Sequence, residues 1–208
     1  MPVESRGAKI PTLYYTMSPS NLLRLQGLAA LIGGALVAVL KLVDVISLFF
    51  LDPFGSSELG LTILYILDPL SVFAQVLITL GLIGLYIHQS RVAGTAGLIA
   101  FVLTFSGMVL IRALDWAASL AYLGWALFGA SNLGVRVYPG IASVLLIFSA
   151  LATGLARPTA SPLPIGPDDI AGDIGTVAFI ILNAVIAWLG FILFSRRLEE
   201  AQRIGEVS

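Results

Sequence analysis

Lys41 and Asp44, and again Arg112 and Asp115, place a basic and an acidic residue three positions apart beside a long apolar run. On a helix that spacing puts both side chains on one face. Two such pairs facing one another at the outer ends of the first and third helices would line a polar mouth; the alternative is charges that reach for lipid headgroups on flexible stems. Gln75 and Asn183 are the notable amides within the apolar runs. Each can bond across to a neighbouring helix, worth about 0.6 kcal/mol, or contact a substrate. Asp52, Asp68 and Asp115 could gather a cation, but aspartate next to proline (Asp52-Pro53, Asp68-Pro69) is ordinarily a turn or cap residue. His88 could hold a chlorin or a metal; beside Gln89 and Arg91 it reads as an interface residue at a helix end. The stretch 157–173, with Asp168, Asp169 and Asp173 among its prolines, lacks the ligand spacing of a calcium loop, and Asp169 or Asp173 is expected to cap the last helix. No Ser-His-Asp set, glycine-rich phosphate loop or HExxH occurs. The expectation is a protein that is not an enzyme, with no cofactor and no metal.

Composition bounds the rest. The chain is 58% hydrophobic and 11% charged, with a mean hydropathy of +1.00, against about 45–50% apolar and 25% charged in a soluble domain. Over 208 residues this is one multi-pass membrane domain, and the lipid bilayer is its first partner. There is no cysteine, which excludes disulfides, zinc-thiolate sites, iron–sulfur clusters and thiol catalysis. One histidine rules out bis-histidine haem ligation within the chain, and a net charge of −1 gives no reason to expect nucleic acid.

The elements follow from the apolar runs. Leu70–Ile87 and Thr95–Ile111 carry no charge and flank the break His88-Gln89-Ser90-Arg91-Val92-Ala93-Gly94. At 1.5 Å per residue each crosses most of a hydrocarbon core of about 30 Å, so the pair reads as a transmembrane hairpin with Arg91 at its tip. Threading outward gives an all-α, polytopic membrane helical bundle of six transmembrane helices, about 22–44, 69–88, 94–111, 116–133, 140–156 and 174–195. An apolar outer hairpin is expected at 45–68 and a proline-rich acidic outer loop at 157–173. Residues 1–21 read as a retained tail rather than a signal peptide, because the apolar run starts late and is too long; 196–208 form a second tail. Serine, tyrosine and asparagine weaken the fourth span, and charge counting tests it. With six spans and Arg91 inside, Arg6, Lys9, Arg24, Arg91, Arg136, Arg196, Arg197 and Arg203 lie inside and only Lys41, Arg112 and Arg157 outside, the bias of a bacterial inner-membrane protein with both termini cytoplasmic. A fourth helix that failed to cross would send Arg196 and Arg197 outside.

No Asp, Glu, Lys, Arg or His falls at the centre of a span, which disfavours proton- or ion-coupled pumping. Small residues recur four apart (Ala30-Gly34-Ala38, Ala93-Gly97, Ala117-Ala121, Ala126-Ala130, Ala150-Gly154) and let helices approach closely, within this bundle or against a partner helix. Leu-Gly, an aromatic residue and then an arginine recur in the second, fourth and sixth spans (Leu80-Gly81, Tyr86, Arg91; Leu123-Gly124, Phe128, Arg136; Leu189-Gly190, Phe194, Arg196), a faint repeat that suits three hairpins running in parallel sense. The stretch Gly81-Leu-Ile-Gly-Leu-Tyr-Ile-His-Gln-Ser-Arg91, with Gly94–Leu110 and with Trp125-Ala-Leu-Phe-Gly129 before the Arg136 turn, resembles the central hairpin of a loose group of uncharacterised bacterial multi-pass membrane proteins. That resemblance implies a span count near six and no particular activity. The expected function is a non-catalytic scaffold or accessory subunit of a membrane assembly, with a membrane-protein partner or a second copy of the chain. The alternative is a carrier or channel for a neutral or lipid-like solute, with Gln75 or Asn183 in a central cavity.

Overall fold

A computed structural model describes residues 19–50, 58–114, 116–156 and 170–205. All secondary structure among them is helical: α1 (Pro19–Phe50), α2 (Glu58–Leu110), α3 (Ala117–Val135), α4 (Gly140–Leu155) and α5 (Ile170–Gly205). Three stretches are long and apolar enough to cross a membrane, Asn21–Ser47, Leu67–Leu110 and Asp173–Ser195, and Gly140–Leu155 is a shorter apolar helix. The N-terminal tail up to residue 18, Asp52 and its turn, Asp115 and most of the 157–173 loop lie outside the described residues.

Helix α2 is two arms rather than one rod. Gly94, at φ 54° and ψ −141°, interrupts the helical dihedrals, a combination open to glycine and strained for any residue with a Cβ. On either side the chain doubles back. The Tyr86 and Phe101 rings stack with centroids 4.4 Å apart, whereas fifteen residues of unbroken helix would separate them by about 22 Å. At the far end Arg112 Nη1 donates to Asp68 Oδ1 at 2.9 Å. The first arm therefore runs antiparallel to the second. His88 to Ala93, expected as the break, continue the helix to its last turn, and the reversal falls on Gly94.

The ends of the expected outer hairpin also differ from their sequence reading. Residues 45–50 prolong α1, and α2 starts at Glu58 and passes through Pro69, so beyond 51–57 the segment 45–68 is the ends of two long helices. Proline lacks one N–H and crowds the preceding turn; here the helix carries it in its interior.

Close packing sets the order of helices. A Cβ on Gly33 would meet Ala74 O and Ile78 N at 2.8 Å, one on Gly81 would meet Ala30, and one on Gly84 would strike Gln26, so α1 lies antiparallel to the first arm of α2. Gly107 and Gly124 hold the second arm against α3 through Ala117, Ala121 and Thr104. Gly129 meets Ser143 and Leu146 of α4, Gly175 of α5 meets Ala156 just past α4, and Gly27, Gly34 and Gly190 bring α5 back onto α1. The six helical segments close into an up-and-down ring in chain order, with α1 against α5 as the seam. Ala30, fully buried, sits at a junction of three segments, beneath both Gly81 and Gly190.

The second reversal, between α3 and α4, is pinned by one side chain. Arg136 adopts the left-handed conformation (φ 55°, ψ 37°) and its N–H donates to Asn132 O. The Asn132 amide then grips the turn from both sides: Oδ1 accepts from the Tyr138 N–H at 2.9 Å, while Nδ2 donates to Tyr138 O at 3.2 Å and to the Ser143 hydroxyl. Pro139, with φ −55°, leads into α4. The Tyr138 hydroxyl donates to Leu85 O at 3.3 Å, which ties this turn to the Gly94 end of α2.

Candidate functional site

Small side chains mark the contacts between helices, and many large apolar ones cover the perimeter. Ala30, Ala74, Ala100, Ala117, Ala121, Ala142 and Ala150 are buried, while Phe148, Ile141, Val109 and Val177 stand exposed on the perimeter. Contiguous apolar surface of this extent is at home in lipid rather than water. Hydroxyls within the helices are satisfied locally: Thr79 donates to Gln75 O, Thr104 to Ala100 O and Thr153 to Ser149 O, at 2.7–2.8 Å. No such bond needs water, as a hydrocarbon surrounding requires.

The half of the ring nearer Gly94 is filled by Leu82, Leu85, Trp125, Phe128, Leu146, Leu189 and their neighbours. The half nearer Asp68 is hollow. A cavity of about 320 Å³ lies there, at the small end of the roughly 300–1,000 Å³ of ligand clefts. Five of the six segments line it: Val37 from α1; Ser71, Gln75 and Ile78 from the first arm of α2; Met108 and Arg112 at the end of the second; Tyr122 and Trp125 from α3; Phe179, Leu182, Asn183 and Ile186 from α5. The walls are mostly apolar and aromatic, with a few polar groups converging on the space.

Gln75, Asn183 and Arg112 thus meet around one space, although 108 positions separate the first two in sequence. Their hydrogen bonding differs. Asn183 Nδ2 donates to Phe179 O at 2.8 Å, one turn back on its own helix, and its Oδ1 has no partner among the described residues. The Gln75 carboxamide makes no side-chain hydrogen bond among the described residues. Both line the cavity, and among the described residues neither is hydrogen-bonded to another helix, which differs from the cross-helix bonding expected. Arg112 sits at the rim, half exposed and paired with Asp68.

The remaining expected site residues separate. Lys41 Nζ pairs with Asp44 Oδ2 at 2.6 Å on α1, and the antiparallel register carries them toward the Asp68 end. Arg112 takes Asp68 as its partner, 44 residues away, a pairing the i, i+3 spacing did not suggest. Asp173 occupies the first turn of α5, where a carboxylate suits the helix dipole. His88 lies at the opposite end, its ring 5.7 Å from that of Tyr138. No group of three metal-ligating side chains occurs among the described residues.

Several residues that matter here carried no sequence signal. Trp125 and Met108 read as ordinary span residues, yet they form cavity wall. Gln89 read as part of a polar turn, yet it is fully buried, with Nε2 donating to Ser131 Oγ at 2.7 Å and Oε1 left without a partner.

Fold and site together define an all-helical bundle with the features of an integral membrane protein, built around an apolar cavity with two amides on its wall. No family model, curated protein or solved structure matches the chain.

Proposed function

We propose that this is a six-span membrane protein, both termini cytoplasmic, that binds a small neutral or lipid-like solute in the cavity between Gln75 and Asn183. The observation that carries the reading is the convergence of two amides with unspent hydrogen-bonding capacity on a hollow otherwise walled by apolar and aromatic side chains. A hydrogen bond made inside such a site contributes about 0.5–1.5 kcal/mol, which an occupant of the cavity can draw from these amides. Among the described residues the charged side chain in the lining is Arg112, which is paired with Asp68; that suits a neutral ligand. In this topology the Gly94 and Arg136 turns are cytoplasmic and the Asp68–Arg112 end, where the cavity lies, faces outward.

The accessory-subunit reading drew on abundant small-residue faces. Ala30, Gly34, Ala117 and Ala121 are spent on contacts within the ring, whereas Gly97 meets only Ala93 of its own helix and Ala130 is exposed; the first set supports solute binding over partner docking at those residues. Native mass spectrometry of protein extracted in mild detergent tests this. The wild-type chain carries a small non-covalent adduct at one per monomer, and Gln75→Ala/Asn183→Ala loses it. Identical spectra for both, or a stoichiometric second polypeptide without any adduct, would restore the accessory-subunit reading.

A further inference from the structure

We infer that a zwitterionic phospholipid with an ammonium-bearing headgroup docks on the outside of the bundle, with one acyl chain in the groove between α4 and α5 and its headgroup nitrogen at Asp173. The site is separate from the solute cavity, with which it shares no lining residue, and needs only that the bundle lies in a bilayer.

The groove holds about 430 Å³. Ser149 and Ala178, both buried, make its floor, and Leu145, Phe148, Val177 and Ile181 stand exposed along its sides. The Ser149 hydroxyl is already donated to Leu145 O at 2.6 Å, so the bed offers an occupant dispersion contacts alone. Its length decides what lies there. Asp173 and Ile181, the ends of its α5 side, are eight positions apart, about 12 Å of helix. One leaflet contributes about half of a hydrocarbon core of about 30 Å, so the groove runs from the headgroup level to the depth of a single leaflet. A spanning partner helix packs along the whole core and wants small residues at the contact; here the sides are branched and aromatic. An acyl chain matches both the depth and the walls.

The charge at the head of the groove points to the headgroup. Asp173 lies exposed in the first turn of α5, beside the end of α4, where Gly175 packs against Ala156. It makes no ion pair or hydrogen bond among the described residues, whereas Lys41 is matched by Asp44 and Arg112 by Asp68. In the proposed topology the outward segments hold eight acidic residues and three basic ones, a field that repels an anionic headgroup and draws a cationic nitrogen. A headgroup ammonium at Asp173 donates to the carboxylate while its chain enters the groove directly below.

The test is native mass spectrometry of the full-length protein in mild detergent, titrated with palmitoyl-oleoyl phosphatidylethanolamine or with phosphatidylglycerol of the same chains. The first lipid carries an ammonium and the second a net negative charge on identical tails. The expected result is a saturable one-to-one lipid adduct, about threefold tighter for the ethanolamine lipid, the scale of an exposed ion pair. Asp173→Asn brings the two lipids to equal affinity. Phe148→Ala, at a side chain 69% exposed whose loss leaves the core intact, weakens both and keeps their ratio. Equal affinity in the wild type, a preference for the glycerol lipid, a preference that survives Asp173→Asn, or binding unchanged by Phe148→Ala overturns the assignment, as does the absence of a saturable lipid adduct. Gln75→Ala/Asn183→Ala should retain the ethanolamine lipid, so loss of the small cavity adduct and loss of the lipid report separately on the two sites.

Discussion

Replacing Gly94 by alanine isolates what the reversal of α2 demands of the chain. A Cβ at Gly94 would meet no atom within 4 Å, so the substitution creates no clash. Its effect is confined to the backbone, which sits at φ 54°, ψ −141°. Those angles are close to the first central position of a type II′ turn, where glycine is strongly favoured. Holding an L-residue there costs about 1–3 kcal/mol. Gly134, near the end of α3, provides the control: it too has open space around a built Cβ, but its φ is not positive. Gly134→Ala should therefore be neutral or stabilising by about 0.4–1 kcal/mol, through the loss of freedom in the unfolded chain. Asparagine, which tolerates the left-handed helical region, has no such allowance at ψ −141° and should be as destabilising as alanine. Reversible unfolding in mixed micelles, titrated with dodecyl sulfate and followed by circular dichroism, measures the differences. A Gly94→Ala protein as stable as wild type, or no more affected than Gly134→Ala, would refute the hairpin geometry.

Three further outcomes follow from the packing. Ala30→Leu forces a branched side chain into the junction where Gly81 and Gly190 close on α1; overpacking of this kind costs about 1–3 kcal/mol, and the variant should unfold at lower dodecyl sulfate than Ala38→Leu on the less buried face. Asn132→Leu leaves the buried Tyr138 N–H without its acceptor, a loss of about 1–3 kcal/mol that amide exchange should reveal as faster protection loss at Tyr138. Arg112→Gln breaks an ion pair whose members are both well exposed; the stability change should stay within about 1 kcal/mol and shrink further in high salt, as measured by the same unfolding titration.

The central hairpin was legible because two charge-free runs flank one polar break that ends in glycine. Boundaries of later helices also came close, 116–133 against Ala117–Val135 and 140–156 against Gly140–Leu155, since Pro139-Gly140 and the charges after Leu110 punctuate the sequence. Which face of each helix turns inward was less legible. Apolar residues surround these helices on all sides, so periodicity carries little directional information, and the inward faces are marked by alanine and glycine instead. Gln75 and Asn183 could be flagged as amides in apolar surroundings, but their meeting depends on the closure of α5 onto α1, a contact between the two ends of the chain. The partner of Arg112 was hidden for a related reason: Asp68 lies 44 residues away and comes beside it only once α2 reverses at Gly94. Asn132, which weakened the apolar signal of α3, proves to be the clamp of the Arg136 turn.

The most direct measurement is a crystal structure of the protein extracted in mild detergent without added ligand, at a resolution that shows side-chain amides. The account predicts non-protein density enclosed by Gln75, Trp125 and Asn183, with a hydrogen-bonding atom opposite Asn183 Oδ1. A cavity closed by repacking, with the Gln75 and Asn183 amides bonded to each other or to neighbouring helices and no room for a solute, would contradict it.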